Sequence, residues 1–159
     1  MLTVNVICVG KLKEKWLREG CAEYIKRLGG YCRINVVELD EKKLPDNPSQ
    51  AQIDAALDAE GTAILSAADN SYIIAMCIEG SKVTSPGLSQ KINSVALNGT
   101  SSISFVIGSS FGLANKVTAA AKFKMSMSDM TFPHQLARVL LLEQIYRAFQ
   151  ISSGGKYHK

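Results

Sequence analysis

FVIGSSFG at residues 105–112, MSMSDMTFPHQLARVLLLEQIYRAFQ at residues 125–150 and GGKYHK at residues 154–159 decide how this chain is read. The first is a run of β-forming residues ending in a Gly/Ser turn, which predicts a strand over residues 101–108 that feeds a tight loop. A short helix is expected near residues 114–121 and a last strand near residues 123–127. From Pro133, a residue suited to a first helical turn, the apolar residues Leu136, Val139, Leu140, Leu141, Leu142, Ile145, Tyr146 and Phe149 spread almost round the helix. A helix that is apolar on nearly every side needs cover on nearly every side. In a chain of 159 residues a second subunit is the expected cover.

The same alternation runs back through the chain. LTVNVICV (residues 2–9), RINVVEL (33–39) and SYIIAMCI (71–78) are β-branched or aromatic runs that predict strands. Between them, helices are expected over residues 13–28, 49–67 and 88–97. In the first, Trp16, Leu17, Cys21, Tyr24, Ile25 and Leu28 recur at spacings of three and four, and Gly29-Gly30 stops it. Gly61 reads as a weak point of the second, Asn98-Gly99 ends the third, and DEKKLPDNPSQ (40–50) is a surface loop. Strand and helix in strict alternation predict the α/β class, a parallel sheet with helices on both faces. Ligands of such sheets bind beyond the carboxyl ends of the strands, so residues 76–80, 108–112 and 127–132 are expected to line one site.

Composition narrows the class. A mass of 17.2 kDa with 47% hydrophobic and 20% charged residues suits one domain over residues 1–159. No apolar run approaches the roughly 18 residues that a membrane span needs. Met1 runs into LTVNVICVG without a basic leader, so a cytoplasmic protein with no membrane partner is expected. Cys8, Cys21, Cys32 and Cys77 show no CxxC spacing, and reduced thiols without a metal are expected. Residues 1–33 carry net charge +4, residues 34–115 carry −5 and residues 116–159 carry +5. Basic ends that converge would form a face suited to a phosphate backbone; chance asymmetry on a solvated surface is the plainer alternative.

Three chemistries compete for GSSFG. Gly108 to Gly112 satisfies G-x-S-x-G between a strand and a helix, with Ser110 as nucleophile and Asp129 and His134 or His158 downstream, the order of a serine hydrolase. Against it, that turn normally sits mid-sheet in a larger fold. A dinucleotide site would need GxGxxG early in the chain, which VGKLKEKW lacks. The third reading is that the glycines let backbone approach a flat ligand held by amides. Arg138 has no acid at i+4 and reads either as a phosphate or substrate contact or as half of a cross-subunit pair. Glu143 and Arg147 read as an ordinary helical ion pair. His134 fits a polar contact at a helix start, whereas His158 lies on a Gly154-Gly155 hinge, free to reach a neighbouring site.

Taken together, FVIG-x-S-x-GL, the block S-x-M-T-F-P-H-Q-L-x-R-V-x-L-x-E-Q-x-Y-R-A over residues 128–148 and the closing YHK resemble the RlmH family of the SPOUT superfamily. The V-G-K-x-K start and EYIKR at residues 23–27 extend the resemblance over the whole chain. It implies an α/β fold with a C-terminal trefoil knot, a homodimer, S-adenosylmethionine in the knotted loops, and methylation at N3 of a pseudouridine in 23S rRNA of the large subunit or ribosome. By position it puts cofactor binding on Met76, Gly108, Met127, Ser128, Asp129, Met130, Thr131 and Phe132. Relatives usually carry Leu at the position of Met76 and Gly at that of Ser109. Removal of the imide proton points to His158 with Tyr157 on the tail, or to Arg138 as a charge stabilising the anion. A serine hydrolase using Ser110 and a non-catalytic RNA-binding dimer are the alternatives.

Overall fold

The β-branched runs become one sheet. A computed structural model describes all 159 residues, Met1–Lys159. Strands β1 (Thr3–Val9), β2 (Arg33–Leu39), β3 (Tyr72–Lys82), β4 (Ser102–Ile107) and β5 (Phe123–Ser126) lie in the order β2-β1-β4-β3-β5, and every neighbouring pair is parallel. Helices α1 (Lys15–Leu28), α2 (Gln50–Ala67), α3 (Ser85–Leu97), α4 (Asn115–Ala120) and α5 (His134–Ser152) fill the crossovers. Alternation along β1 shows how they divide. Val4, Val6 and Cys8 enter a core with α1, α3 and α5, while Ile7 and Val9 enter a smaller core with α2 and α4.

Two element boundaries differ from the sequence expectation for visible reasons. α3 begins at Ser85, three residues before Leu88, because Thr84 caps the Gly87 N–H and Pro86 fits the first turn. β3 continues to Lys82 through an irregularity: Met76 and Ser81 both pair with Met125, which throws residues 77–80 out of the ladder. Gly80 is needed there, since a Cβ would come within 2.7 Å of the Met125 backbone. Gly61 is likewise no weak point in α2, because it is buried where a Cβ would meet Lys116, Ala114 and Val117.

Cover for α5 comes largely from its own chain. Leu141, Leu142, Ile145 and Ala148 face the sheet and are at most 2% exposed. Val139 lies so near Gly20 on α1 that a Cβ there would come within 3.3 Å of it, and on the other side Ser89 of α3 donates to the Ala148 carbonyl. Leu142 and Ile145 are therefore core residues of one chain, and the expectation that they belong to a subunit interface is corrected. Half-buried Leu136 and Leu140 remain on the stripe that none of these contacts covers. Of the expected helical stripe on α1, Trp16 stands out at 61% exposed.

Arg138 is 2% exposed and bound within the chain. It donates to the Glu38 carboxylate at 2.6 Å and to the Gly10 carbonyl at 3.0 Å, tying α5 to the ends of β1 and β2. The expected contacts with phosphate, substrate or a second subunit give way to this pair, whose acid lies a hundred positions away in sequence. Burial pushes the Glu38 carboxyl up, but the Arg138 hydrogen bond, the Leu12 N–H and the Arg138 charge more than offset it and hold the group below its ordinary value. A depressed folded value means stabilisation that is complete above about pH 4.3 and is lost as pH falls through the folded value. Glu38→Ala leaves a buried guanidinium without its acid and should cost about 2–4 kcal/mol, the low side of a buried pair because solvent reaches Glu38. Denaturant unfolding checks this, and a variant as stable as the parent would contradict it.

Candidate active site

One cavity of about 810 Å³ opens where the carboxyl ends of β3, β4 and β5 converge. Its walls come from residues 76–79 after the regular part of β3, residues 107–113 after β4 and residues 125–134 after β5. The β4 loop folds tightly back on itself: the Gly112 N–H donates to the Ser109 carbonyl at 2.9 Å, and Gly112 has φ +87°. Gly108 has no space for a side chain, since a Cβ would lie 2.6 Å from the Gly112 carbonyl carbon and closer to its oxygen. The β5 loop braces itself through Ser126 Oγ, which donates to the Ser128 carbonyl, and Ser128 Oγ, which accepts from the Met130 N–H.

Met76, Gly108, Met127, Ser128, Met130, Thr131 and Phe132 all lie on this cavity. Asp129 does not; its carboxylate turns outward and pairs with Lys82 at 2.6 Å. His134, read from sequence as a helix-start contact, is part of the wall, as are Thr118 of α4 and Ala137 of α5, which no sequence signal marked. Ser110 is exposed on the rim, and no hydrogen bond joins it to either histidine. With Asp129 engaged by Lys82, the constellation of a serine hydrolase is not assembled. Burial pushes the Cys8 thiol up to about 12 and Cys32 to about 11, which fits inert core thiols.

The C-terminal tail is docked on α5 and not free on a hinge. Gly154 turns the chain at φ +74°, and the Gly155 N–H donates to the Gln150 carbonyl at 2.8 Å. The Tyr157 ring then packs edge-on against Tyr146 at 4.9 Å, lies under the Arg147 guanidinium at 4.6 Å, and donates its hydroxyl to Glu143 at 3.1 Å. Burial, then hydrogen bonds with Tyr24 and Glu143, push this phenol up to about 12, so it stays protonated and serves as a donor. Arg147 Nη1 lies 3.3 Å from His158 Nδ1. A guanidinium only donates, so in any hydrogen bond between them Nδ1 is the acceptor. The Glu143–Arg147 pair, an ordinary ion pair by sequence, is thus the dock for the tail. Along α5, at about 1.5 Å per residue, Arg147 stands roughly 20 Å from His134 at the cavity wall. One chain alone does not bring His158 and the cavity together.

No helix is long and apolar enough to cross a membrane, and no group of three or more His, Cys, Asp or Glu side chains is placed to hold a metal ion.

A parallel α/β sheet with a cavity at the carboxyl ends of its strands is a frame on which such folds bind ligands, and its likeness to solved structures of probable methylases narrows the fold. A probable methylase family protein from Haemophilus influenzae superposes with TM-score 0.57 at 13% identity, over 98% of this chain and 70% of that one. A probable methyltransferase from Bordetella pertussis gives 0.56 at 14% identity, over 92% and 95%. The family described as "Predicted SPOUT methyltransferase" matches residues 2–158. Ribosomal RNA large subunit methyltransferase H of Clostridium botulinum is 47% identical and that of Streptococcus thermophilus 48%, each over 99% of this chain and all of the relative. The chain belongs to the SPOUT methyltransferases and, within them, to the ribosomal RNA large subunit methyltransferase H family.

Proposed function

We propose that this chain is an S-adenosylmethionine-dependent methyltransferase acting on N3 of a pseudouridine in 23S rRNA of the large ribosomal subunit, in the cytoplasm. It works as a homodimer of single domains, residues 1–159, each with a C-terminal trefoil knot. The observation that carries this reading is the three-loop cavity in a chain 47% identical, end to end, to a large-subunit rRNA methyltransferase. The cavity fits the cofactor by size, within the roughly 300–1,000 Å³ of small-molecule sites. It also fits by chemistry: Met76, Met127 and Phe132 offer apolar faces, and Gly108 brings bare backbone to the ligand. When bound, S-adenosylmethionine supplies a methyl group on a positively charged sulfur, already activated for transfer.

The protein's own residues then have two tasks. Residues 108–112 and 127–132 hold donor and acceptor in line, which is worth several orders of magnitude in effective concentration. A base must take the N3 proton, and His158 is proposed for it. In the docked tail its Nδ1 is engaged by Arg147, so catalysis requires that the imidazole leave this contact and meet a cavity that its own chain holds too far away. A dimer resolves this by setting one chain's tail against the other's cavity. Tyr157 anchors the tail. Arg138 acts through Glu38 on the frame of the site and touches no substrate.

Leu136 and Leu140, the apolar residues left on the outer stripe of α5, support the dimer. Leu140→Asp is expected to give a folded monomer by sedimentation, with methyl transfer lost; an active monomer would remove the interface. Ser110→Ala should keep appreciable methyl transfer, and a fluorophosphonate should leave the parent unlabelled, whereas stoichiometric labelling at Ser110 would restore the hydrolase reading. Binding of S-adenosylmethionine at equilibrium tests the proposal as a whole and also separates it from a non-catalytic RNA-binding dimer. Comparison of methyl transfer to free 23S rRNA, subunits and whole ribosomes identifies the substrate.

A further inference from the structure

α2 carries a carboxylate that methyl transfer does not use. Glu60 is 4% exposed and has no cation within ion-pair distance. A buried charge without a cation is unfavourable unless hydrogen bonds answer it. Here two do: Oε2 accepts from the Lys42 backbone N–H at 3.1 Å, and Oε1 accepts from the Ser109 hydroxyl at 3.1 Å. Ser109, 7% exposed, is also the residue whose carbonyl closes the turn at Gly112. One residue on, Gly61 lets α2 approach so closely that a Cβ would lie 2.9 Å from Lys116 Cε and 3.2 Å from Ala114 Cβ. Lys116 in turn reaches Asp58 at 2.9 Å and Thr62 at 2.6 Å. A single stretch of α2 therefore grips both ends of the segment 109–117.

We infer that Glu60 is a positioning residue: it fixes Ser109, and through it the 109–112 turn, in the geometry that receives the methyl donor. The inference rests on the cavity being the S-adenosylmethionine site. It gives Ser109 a role of its own. Ser109 needs no positive φ, since among the non-glycine residues only Asn47 and Asn70 have one. The added hydroxyl is turned to Glu60, so the side chain becomes the clamp's second half.

The test compares the parent, Glu60→Leu, Glu60→Gln, Ser109→Ala and the Glu60→Leu/Ser109→Ala double variant. Two quantities are read: the dissociation constant for S-adenosylmethionine by calorimetry, and hydrogen exchange at the Gly112 amide without ligand. Glu60→Leu and Ser109→Ala should each weaken binding by about tenfold or more, since each leaves a buried polar group unpaired beside the turn. The double variant should be no weaker than Glu60→Leu, because both act through one contact. Glu60→Gln should recover most of the affinity, as an amide can accept from Lys42 and donate to Ser109. Parent affinity in folded Ser109→Ala, or additive losses in the double variant, overturns the inference; if Glu60→Leu does not fold, Ser109→Ala and Glu60→Gln decide. The two readings fail separately. A parent that binds no donor while Ser109→Ala still speeds Gly112 exchange sinks the cofactor reading alone, and unchanged exchange beside intact parent binding sinks the clamp alone.

Discussion

Gly108→Ala is expected to weaken binding of S-adenosylmethionine by about a hundredfold or more while the protein stays folded. The added Cβ would sit 2.6 Å from the Gly112 carbonyl carbon, where ordinary contact begins at 3.4 Å, and the obstacle is backbone, which has no rotamer to give. The 109–112 turn must then retreat by roughly 1 Å, a displacement that costs on the order of a hundredfold in a positioned site. The rest of the fold tolerates the change because the turn lies beyond the end of β4, outside both hydrophobic cores. Calorimetric titration beside thermal unfolding separates the two effects. Unchanged affinity in a folded Gly108→Ala chain would mean that the donor does not rest on this loop.

The second large effect is expected at the tail. His158→Ala should slow the chemical step by about a hundredfold or more if the imidazole takes the imide proton, with little change in the dissociation constant for S-adenosylmethionine. Removal of residues 157–159 should abolish methylation with the fold retained, because Tyr157 packs on the surface of Tyr146 and Arg147 and no core residue depends on it. Single-turnover methyl transfer on ribosomes, run beside cofactor titration, measures both quantities. A parent-like single-turnover rate in His158→Ala would take the imidazole out of the chemistry and leave the bound RNA or another group of the site as the base.

What the sequence made legible was local, or repeated along the chain. β2 falls at the residues that alternate Arg33, Ile34, Asn35, Val36, and the ends of α1 and α3 fall at Leu28 and Leu97, just before Gly29 and Asn98-Gly99. The three loops at one end of a parallel sheet follow from strand order alone, and they do enclose one cavity. The remainder depends on pairs far apart in sequence, which no spacing rule reports. Arg138 looked unpartnered because Glu38 lies on β2, and nothing local marked a partner for Ser109 because Glu60 lies on α2. The all-round apolar α5 was read as needing a second subunit, when α1, α3 and the sheet supply most of its cover. The tail looked unpacked for the same reason: its dock is Glu143 and Arg147, two charged residues that satisfy each other in any helical reading.

The central claim is methyl transfer from S-adenosylmethionine to one pseudouridine N3 of large-subunit rRNA. Its most direct test is a single-turnover reaction of the purified protein with isotopically labelled S-adenosylmethionine and ribosomes that lack the modification, followed by mass spectrometry of the digested 23S rRNA. The account predicts one labelled methyl group per ribosome, on N3 of a pseudouridine, delivered about a hundredfold or more slowly when Gly108→Ala or His158→Ala replaces the parent. Label on a different base, on a ribose or on protein, or no transfer by a parent that binds the donor, would contradict it.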